Sequence, residues 1–143
     1  MSVEKVMKVF AADGRIYQLE YAFKAAQSCG QTSIAIRGND SVVVCTEKKV
    51  PDAMIVPDSV TSIFNVADDI GAVIVGNPQD ARYVVSMLRM LASQLKFKMA
   101  YEIPVHVLAS HLAQQMQRTS QYQGVRSMCV IVTLVGCDVE RGP

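Results

Sequence analysis

The chain has 143 residues, half of them hydrophobic, and its formal net charge is +1. A chain of this length can bury a core of its own, and its apolar content excludes a disordered protein. The near-neutral charge, without a long basic or acidic run, argues against a nucleic-acid partner or a polybasic membrane surface. No apolar run approaches the length of a membrane span, and the first residues do not resemble a signal peptide. We therefore expect a folded, soluble, intracellular protein.

A short helix is predicted near the N-terminus. Apolar residues recur there at three- and four-residue spacing, which places them on one helical face. Glu20 precedes Lys24 by four residues, the favourable orientation for a helical ion pair, and Gly30 is a natural stop. We expect Leu19 and Phe23 to pack inward, so that Phe23→Ala would cost about 3–5 kcal/mol. The apolar stripe consists of Ile16, Leu19, Phe23 and Ala26.

Two hairpins are predicted after this helix. Residues 33–37 and 41–46 are rich in β-branched side chains and flank a Gly-Asn-Asp turn. Residues 62–66 and 71–76 form a second pair of the same kind, joined by a short acidic turn. The segment between the hairpins, residues 47–59, contains two prolines and is predicted as a surface loop.

Two helices and a strand follow the hairpins. Asn77 is a plausible N-cap, Pro78 suits the first helical position, and Asp80 lies where the helix dipole favours negative charge. A second helix begins at Pro104. Residues 128–135 are almost continuously apolar, so we expect a strand covered on both faces. The element order predicts helices outside a two-layer sheet. The expected buried stripe of the first of these helices is Ala81, Val84, Val85, Leu88, Leu91, Ala92 and Leu95.

The cysteines and histidines do not predict a metal or redox site. The four cysteines are widely spaced and none forms a C-x-x-C motif, so we expect buried, reduced thiols. His106 and His111 are five residues apart, which puts them on different faces of a helix. The chain also has no G-x-S-x-G elbow and no phosphate-binding glycine loop. We therefore expect no cofactor and no metal.

The segment from Phe10 to Ala26 carries the most specific pattern in the chain. It resembles the N-terminal signature of alpha-type subunits of the 20S proteasome, roughly F-S-P-x-G-R-x-Y-Q-[VIL]-E-Y-A-x-[KR]-A. The Ser-Pro pair of that signature is replaced by Ala11-Ala12. Parallels extend along the whole chain, and Y-A-F-K-A, K-K-V-P-D and Y-E-I-P-V are most similar to the type-6 branch of the family. The signature residues present here are Gly14, Arg15, Tyr17, Gln18, Glu20, Tyr21, Ala22, Lys24 and Ala25.

The resemblance implies a fold and a function. The implied fold is α/β (α+β), a four-layer αββα sandwich of the N-terminal-nucleophile hydrolase type that is incomplete at the C-terminus. Residues 1–31 would form the gate tail and N-terminal helix, and residues 32–143 the sandwich portion of one domain. The implied function is that of a non-catalytic alpha-ring subunit of the 20S core particle, which contributes to ring assembly, substrate gating and activator docking in ubiquitin-dependent protein degradation.

Partners and location are implied in the same way. The partners are neighbouring alpha-type subunits, the beta ring and the C-terminal tails of activators, with no nucleic acid and no membrane. The implied location is the cytoplasm and nucleus. The signature residues are expected to lie toward ring neighbours or toward the gate.

Three departures from the family pattern concern the sites and the length. A Tyr/Phe-Asp-Arg triplet helps to set the gate in the family, and the matching residues are Val3, Glu4 and Lys5. Many relatives have a lysine in the pocket that receives an activator tail, and the matching residue is Ser62. The family continues for several strands and helices beyond Pro143. We therefore expect a chain that is shortened relative to the family, with strand edges and apolar faces left uncovered.

Two other functions compete with the alpha-type one. A catalytic beta-type subunit needs a threonine with a free α-amine at the start of the first strand. The position after Gly30 is Gln31, which has no nucleophilic oxygen, and Thr32 follows a retained helix. Residues 60–63, where catalytic relatives carry a supporting lysine, contain none. The other alternative is an unrelated α/β interaction module, because a fold alone does not fix a function; copurified beta-type subunits would separate these possibilities.

Overall fold

The computed structural model of the protein describes residues 7–138 and residue 142. No helix in this part of the chain is long and apolar enough to cross a membrane. The elements occur in the predicted order. In chain order they are helix α1 (Tyr17–Ser28), strands β1 (Ser33–Arg37) and β2 (Val42–Thr46), a 3-10 turn (Pro57–Ser59), strands β3 (Ile63–Ala67) and β4 (Ile70–Gly76), helices α2 (Pro78–Met99) and α3 (Val105–Gln121), and strand β5 (Val130–Gly136).

The strands form two antiparallel sheets. β1 and β2 pair as a hairpin, from Ser33 opposite Thr46 to Arg37 opposite Val42. β3, β4 and β5 form the second sheet, in which β4 is the central strand and pairs with β5 over its whole length. Both predicted hairpins and the predicted last strand are therefore confirmed, with boundaries that differ by one or two residues.

The core lies between the three-stranded sheet and helices α2 and α3. Ile70, Ala72 and Ile74 alternate along β4 and are buried against Leu88 of α2 and Leu108 of α3. The two leucines are fully buried. Removing a leucine side chain from water stabilises a fold by about 1.5–3 kcal/mol, so these contacts hold the helices on the sheet. The predicted apolar stripe of α2 is confirmed as part of this core.

Helix α1 lies against β4 and β5 on the opposite face of the sheet, where Val73 and Val75 are buried. The prediction that Phe23 packs inward is wrong, because this residue is 66% exposed while Ala26 is buried. Three residues advance a helix by about 300°, so Phe23 lies about 60° around the axis from Ala26. The small Ala26 faces the sheet and lets the helix approach closely. Truncating Phe23 would remove little buried surface in this structure.

The strand that is covered on both faces is β4, not β5. Val130 is buried on the helix side of β5, but Ile131 on the other side is exposed. The prediction of a doubly covered last strand is therefore wrong, and the reason is that β5 lies at an edge of its sheet. One face of the first hairpin is uncovered as well, since Ile34, Ile36 and Val43 are exposed there.

Helix α2 begins as the sequence predicts, and a contact with β3 anchors it farther along. The side chain of Asn77 accepts a hydrogen bond of 2.9 Å from the Gln79 N–H, and Pro78 is the first helical residue. Farther along, the Arg89 guanidinium donates two hydrogen bonds, of 2.9 and 2.8 Å, to the carbonyl of Asn65. That carbonyl lies at the β-bulge of β3, where the strand register shifts. Arg89 therefore donates to a carbonyl at the point where the pairing of β3 with β4 is interrupted. The sequence does not predict this contact.

A buried carboxylate joins the start of α2 to the segment before β5. Asp80 is 8% exposed and accepts two hydrogen bonds from the Arg126 guanidinium, of 2.6 and 2.5 Å, and one of 3.0 Å from the Cys129 N–H. The hydrogen bonds from Arg126 lower the pKa of Asp80, outweighing the desolvation that would raise it. The sequence predicted a favourable place for Asp80 near a helix N-terminus, but it did not predict this bidentate pair.

We predict that Arg126→Met destabilises the fold and that the effect depends on pH. The variant leaves a mostly buried carboxylate with only the Cys129 N–H as a described partner, which costs about 1–2 kcal/mol. This is the low end of the usual range, because the Arg126 side chain is 62% exposed and water can replace part of the contact. Urea unfolding at pH 7 measures the difference, and Arg82→Met, which removes an exposed arginine of α2, is the matched control.

The sign of the pH dependence follows from the lowered pKa. Asp80 contributes stability above its unfolded-state pKa of about 3.9, and this contribution is lost as the pH falls through the folded-state value. The gap in unfolding free energy between the native sequence and Arg126→Met should therefore narrow below about pH 4. A gap that is independent of pH, or equal losses in Arg126→Met and Arg82→Met, would contradict the assignment.

Candidate functional site

The signature residues begin with a turn that leads into α1. Gly14 has a φ of +79°, which glycine adopts without steric cost, and its N–H donates a hydrogen bond of 2.9 Å to the Ala11 carbonyl. The Asp13 carboxylate accepts hydrogen bonds of 3.3 Å from the Arg15 N–H and from the Tyr17 hydroxyl. Asp13 therefore fixes the turn to the first residue of the helix.

Charged and aromatic side chains gather on this turn. The Arg15 Nε lies 3.8 Å from the Asp13 carboxylate and 3.7 Å from that of Glu20, and the rings of Tyr17 and Tyr21 stack with centroids 6.4 Å apart. The negative charge of Asp13 raises the pKa of Tyr17. These ion pairs are solvent-exposed, and such pairs contribute about 0–1 kcal/mol each. Their main effect is to orient the side chains.

The structure brings most of the predicted signature residues together. Gln18 is half-buried, and Lys24 is exposed farther along the helix. The predicted ion pair between Glu20 and Lys24 is not among the contacts of the described residues, since Glu20 contacts Arg15 instead. Exposed tyrosine and arginine side chains are typical of protein–protein contacts. The residues in the cluster are Gly14, Arg15, Tyr17, Glu20 and Tyr21.

Ser62, the predicted activator-pocket residue, lies immediately before β3 at an edge of the three-stranded sheet. It is half-buried, and its carbonyl accepts a hydrogen bond of 2.9 Å from the Ile74 N–H. A serine hydroxyl in this place can offer one neutral hydrogen bond to a carboxylate. The predicted gate residues Val3, Glu4 and Lys5 lie outside the described residues, so their role stays a prediction.

Thr32 occupies the start of the first hairpin. It follows α1, its amine is part of a peptide bond, and its carbonyl accepts hydrogen bonds of 2.9 Å from the Glu47 N–H and 3.3 Å from the Thr46 hydroxyl. Close by, the Lys49 ammonium donates a hydrogen bond of 2.5 Å to the Gly30 carbonyl and lies 3.5 Å from the Glu47 carboxylate. The sequence does not predict this role of Lys49, which links a loop to the end of α1.

A cleft of about 560 Å³ lies between the connection of α2 to α3 and the end of β5. Asp138 lines it, and its carboxylate lies 3.8 Å from the His106 Nδ1 and accepts a hydrogen bond of 3.3 Å from the Val105 N–H. Asp138 thus satisfies a free N–H at the start of α3. His111 lines a separate cavity of about 60 Å³, so the two histidines do not share a site, as their spacing predicts.

All four cysteines are free thiols, but two of them are exposed where the sequence predicted burial. Cys29 and Cys129 are half-buried, whereas Cys45 and Cys137 are exposed. The prediction of buried thiols is wrong for Cys45 and Cys137. Cys45 lies opposite Ile34, on the uncovered face of the first hairpin, and Cys137 follows β5 at the rim of the cleft.

Comparison of the sequence with known proteins places the chain in a family. The sequence profile described as "Proteasome subunit" matches residues 28–143. The chain is 34% identical over 140 residues to "Proteasome subunit alpha type-6" of Caenorhabditis elegans and 39% identical over 140 residues to "Probable proteasome subunit alpha type-1" of Schizosaccharomyces pombe. It is 31% identical over 140 residues to "Proteasome subunit alpha" of Saccharolobus solfataricus.

These alignments cover 98%, 98% and 96% of the chain, respectively, and 57% of each relative. The chain therefore spans little more than half the length of the curated relatives it matches. The expected α+β fold class of the N-terminal-nucleophile type is confirmed, and so is the resemblance to alpha-type subunits. The helices and antiparallel sheets, the profile match and the named relatives agree: the chain belongs to the proteasome subunit family, and these relatives are named as alpha-type subunits.

Proposed function

We propose that the chain is a non-catalytic subunit of the alpha ring of the 20S proteasome, and that it acts through contacts with neighbouring subunits. The observation that carries the proposal is helix α1, which precedes Thr32 in a continuous chain. A threonine nucleophile of this family type needs a free α-amine as its base, and an amine within a peptide bond cannot take a proton. The retained helix thus favours the alpha-type role over a catalytic one.

The cluster on α1 is the proposed ring contact. Arg15 and Tyr21 are exposed and Tyr17 is half-buried. These side chains combine a large contact area with hydrogen-bonding groups, and such side chains often dominate binding energy at interfaces. Phe23 is exposed beside them and would lose its contact with water in an assembled ring. The proposed partners are alpha-type neighbours and the beta ring, in the cytoplasm and nucleus. The three motifs named above favour the type-6 position within the ring.

We predict that Thr32→Ala leaves peptide hydrolysis unchanged in particles that contain this chain. The substitution removes the threonine hydroxyl immediately before β1, and the proposal assigns this hydroxyl no chemical role. The measurement compares hydrolysis rates and the N-terminus of the incorporated chain. Thr61→Ala, which removes an exposed threonine hydroxyl elsewhere, is the control. Loss of hydrolysis in Thr32→Ala but not in Thr61→Ala would refute the non-catalytic assignment.

The proposed activator pocket includes Ser62. A serine hydroxyl can donate one neutral hydrogen bond, typically worth about 0.5–1.5 kcal/mol net, whereas a lysine ammonium makes a charge-assisted one, nearer about 1.5–3 kcal/mol. The difference is about 1 kcal/mol, or several-fold in affinity. This pocket should therefore bind a C-terminal carboxylate more weakly than pockets that contain lysine.

We predict that Ser62→Lys tightens binding of an activator-tail peptide several-fold, most visibly at low salt because added ions screen an exposed charge. The measurement uses assembled rings in which the other pockets are blocked. Ser93→Lys adds the same charge to the outer side of α2 and should leave peptide affinity unchanged. Equal affinities for Ser62→Lys and the native sequence would show that Ser62 does not face the carboxylate.

A further inference from the structure

The chain near its N-terminus reaches back to the C-terminal end of α3. The Lys8 ammonium donates hydrogen bonds to three backbone carbonyls, those of Thr119, Tyr122 and Val125, and the bond to Tyr122 is 3.0 Å long. Thr119 lies in the last turn of α3, where carbonyls have no partner within the helix. A positive charge is favourable there because the C-terminal end of a helix carries partial negative charge.

The backbone of Lys8 is held as well. Its N–H donates a hydrogen bond of 3.3 Å to the Gln123 Oε1, and the Gln123 Nε2 donates one of 3.3 Å to the Lys8 carbonyl. These two residues are 115 positions apart in the sequence. The side chain of each residue thus contacts backbone of the other segment, which fixes the position and the direction of the chain at Lys8.

Helix α3 has no glycine at its end to satisfy its last carbonyls. Tyr122, its C-cap, is extended, with φ −72° and ψ 131°, so the chain leaves the helix without the left-handed residue of the common glycine-based caps. Lys8, from a distant part of the sequence, donates a hydrogen bond to the Thr119 carbonyl, as a C-terminal glycine cap would otherwise do. Lys8 is half-buried, and this partial removal from water lowers the pKa of its amine and reduces the screening of its contacts.

The loop that Lys8 contacts is held at its other end by the ion pair between Arg126 and Asp80. Val125 precedes Arg126, which donates to the buried Asp80 at the start of α2. The segment from Tyr122 to Cys129 therefore lies between two charged anchors, one from the N-terminal segment and one from α2. Loosening the first anchor should increase the mobility of the loop without removing the second.

We propose that Lys8 is a latch whose charged Nζ joins the N-terminal segment to the C-terminal end of α3 and holds the loop that follows. Loss of this charge releases the segment and leaves the carbonyls of Thr119, Tyr122 and Val125 without the ammonium as a donor. The latch is a property of this chain and does not depend on the proposed function. Only its consequence for an alpha ring, a fixed starting point for the predicted gate residues, rests on that proposal.

The test is hydrogen exchange of the full chain, followed by mass spectrometry, with Lys8→Met compared with Lys48→Met. Lys48 is an exposed loop lysine, so its variant controls for the loss of a charge. In Lys8→Met we expect exchange in residues 7–12 and 119–126 to rise roughly tenfold or more, the factor that corresponds to one lost charge-assisted hydrogen bond. Exchange in α2 should not change, and Lys8→Arg should retain part of the protection.

The latch is contradicted by unchanged exchange in both segments of Lys8→Met, or by an equal rise in Lys48→Met. If Lys8→Met raises exchange throughout the chain, Lys8→Arg decides, because it keeps a positive charge at this position. Exchange in the two segments that stays below that of Lys8→Met supports the latch, and exchange equal to that of Lys8→Met contradicts it. Failure of this test would leave the proposed alpha-ring function untouched, since that function is tested by incorporation and hydrolysis.

Discussion

A carboxylate that is withdrawn from water must keep its hydrogen-bond donors, and the arrangement around Asp80 follows from this requirement. The Arg126 guanidinium and the Cys129 N–H bring the segment before β5 against the first turn of α2. The approach also depends on Gly76, whose φ is +130° and where a Cβ would lie 2.3 Å from the Cys129 carbonyl. The end of β4, the start of α2 and the start of β5 are therefore packed at one corner, and the core contacts between sheet and helices extend from it.

Local patterns in the sequence predict the elements because helices and strands leave periodic signals. The cap at Asn77, the stop at Gly30 and the stripe of α2 follow from spacing and residue type alone. Burial is predicted less well, since it depends on which neighbours a segment acquires. Phe23 lies on the predicted stripe but is exposed, because the buried side of α1 is centred on small residues such as Ala26.

Contacts between distant residues leave no such signal. Asp80 and Arg126 are 46 residues apart, and Lys8 and Gln123 are 115 apart, so neither pair could be inferred from spacing. In the candidate site too, local features are predicted from the sequence and contacts that depend on the folded chain are not. The helix that carries the signature is a local feature, and the sequence predicts it. The pairing of Glu20 with Arg15 instead of Lys24 depends on how the turn folds back on the helix.

The proposed function depends most on whether this chain is held in an alpha ring with its first helix intact. The direct measurement is native mass spectrometry of particles purified from cells through a tag on the chain, combined with identification of the chain's N-terminus. The account predicts alpha-type neighbours and beta-type subunits in the same particle, and an N-terminus that precedes α1. A chain that begins at Thr32, or one recovered without any proteasome subunit, would contradict it.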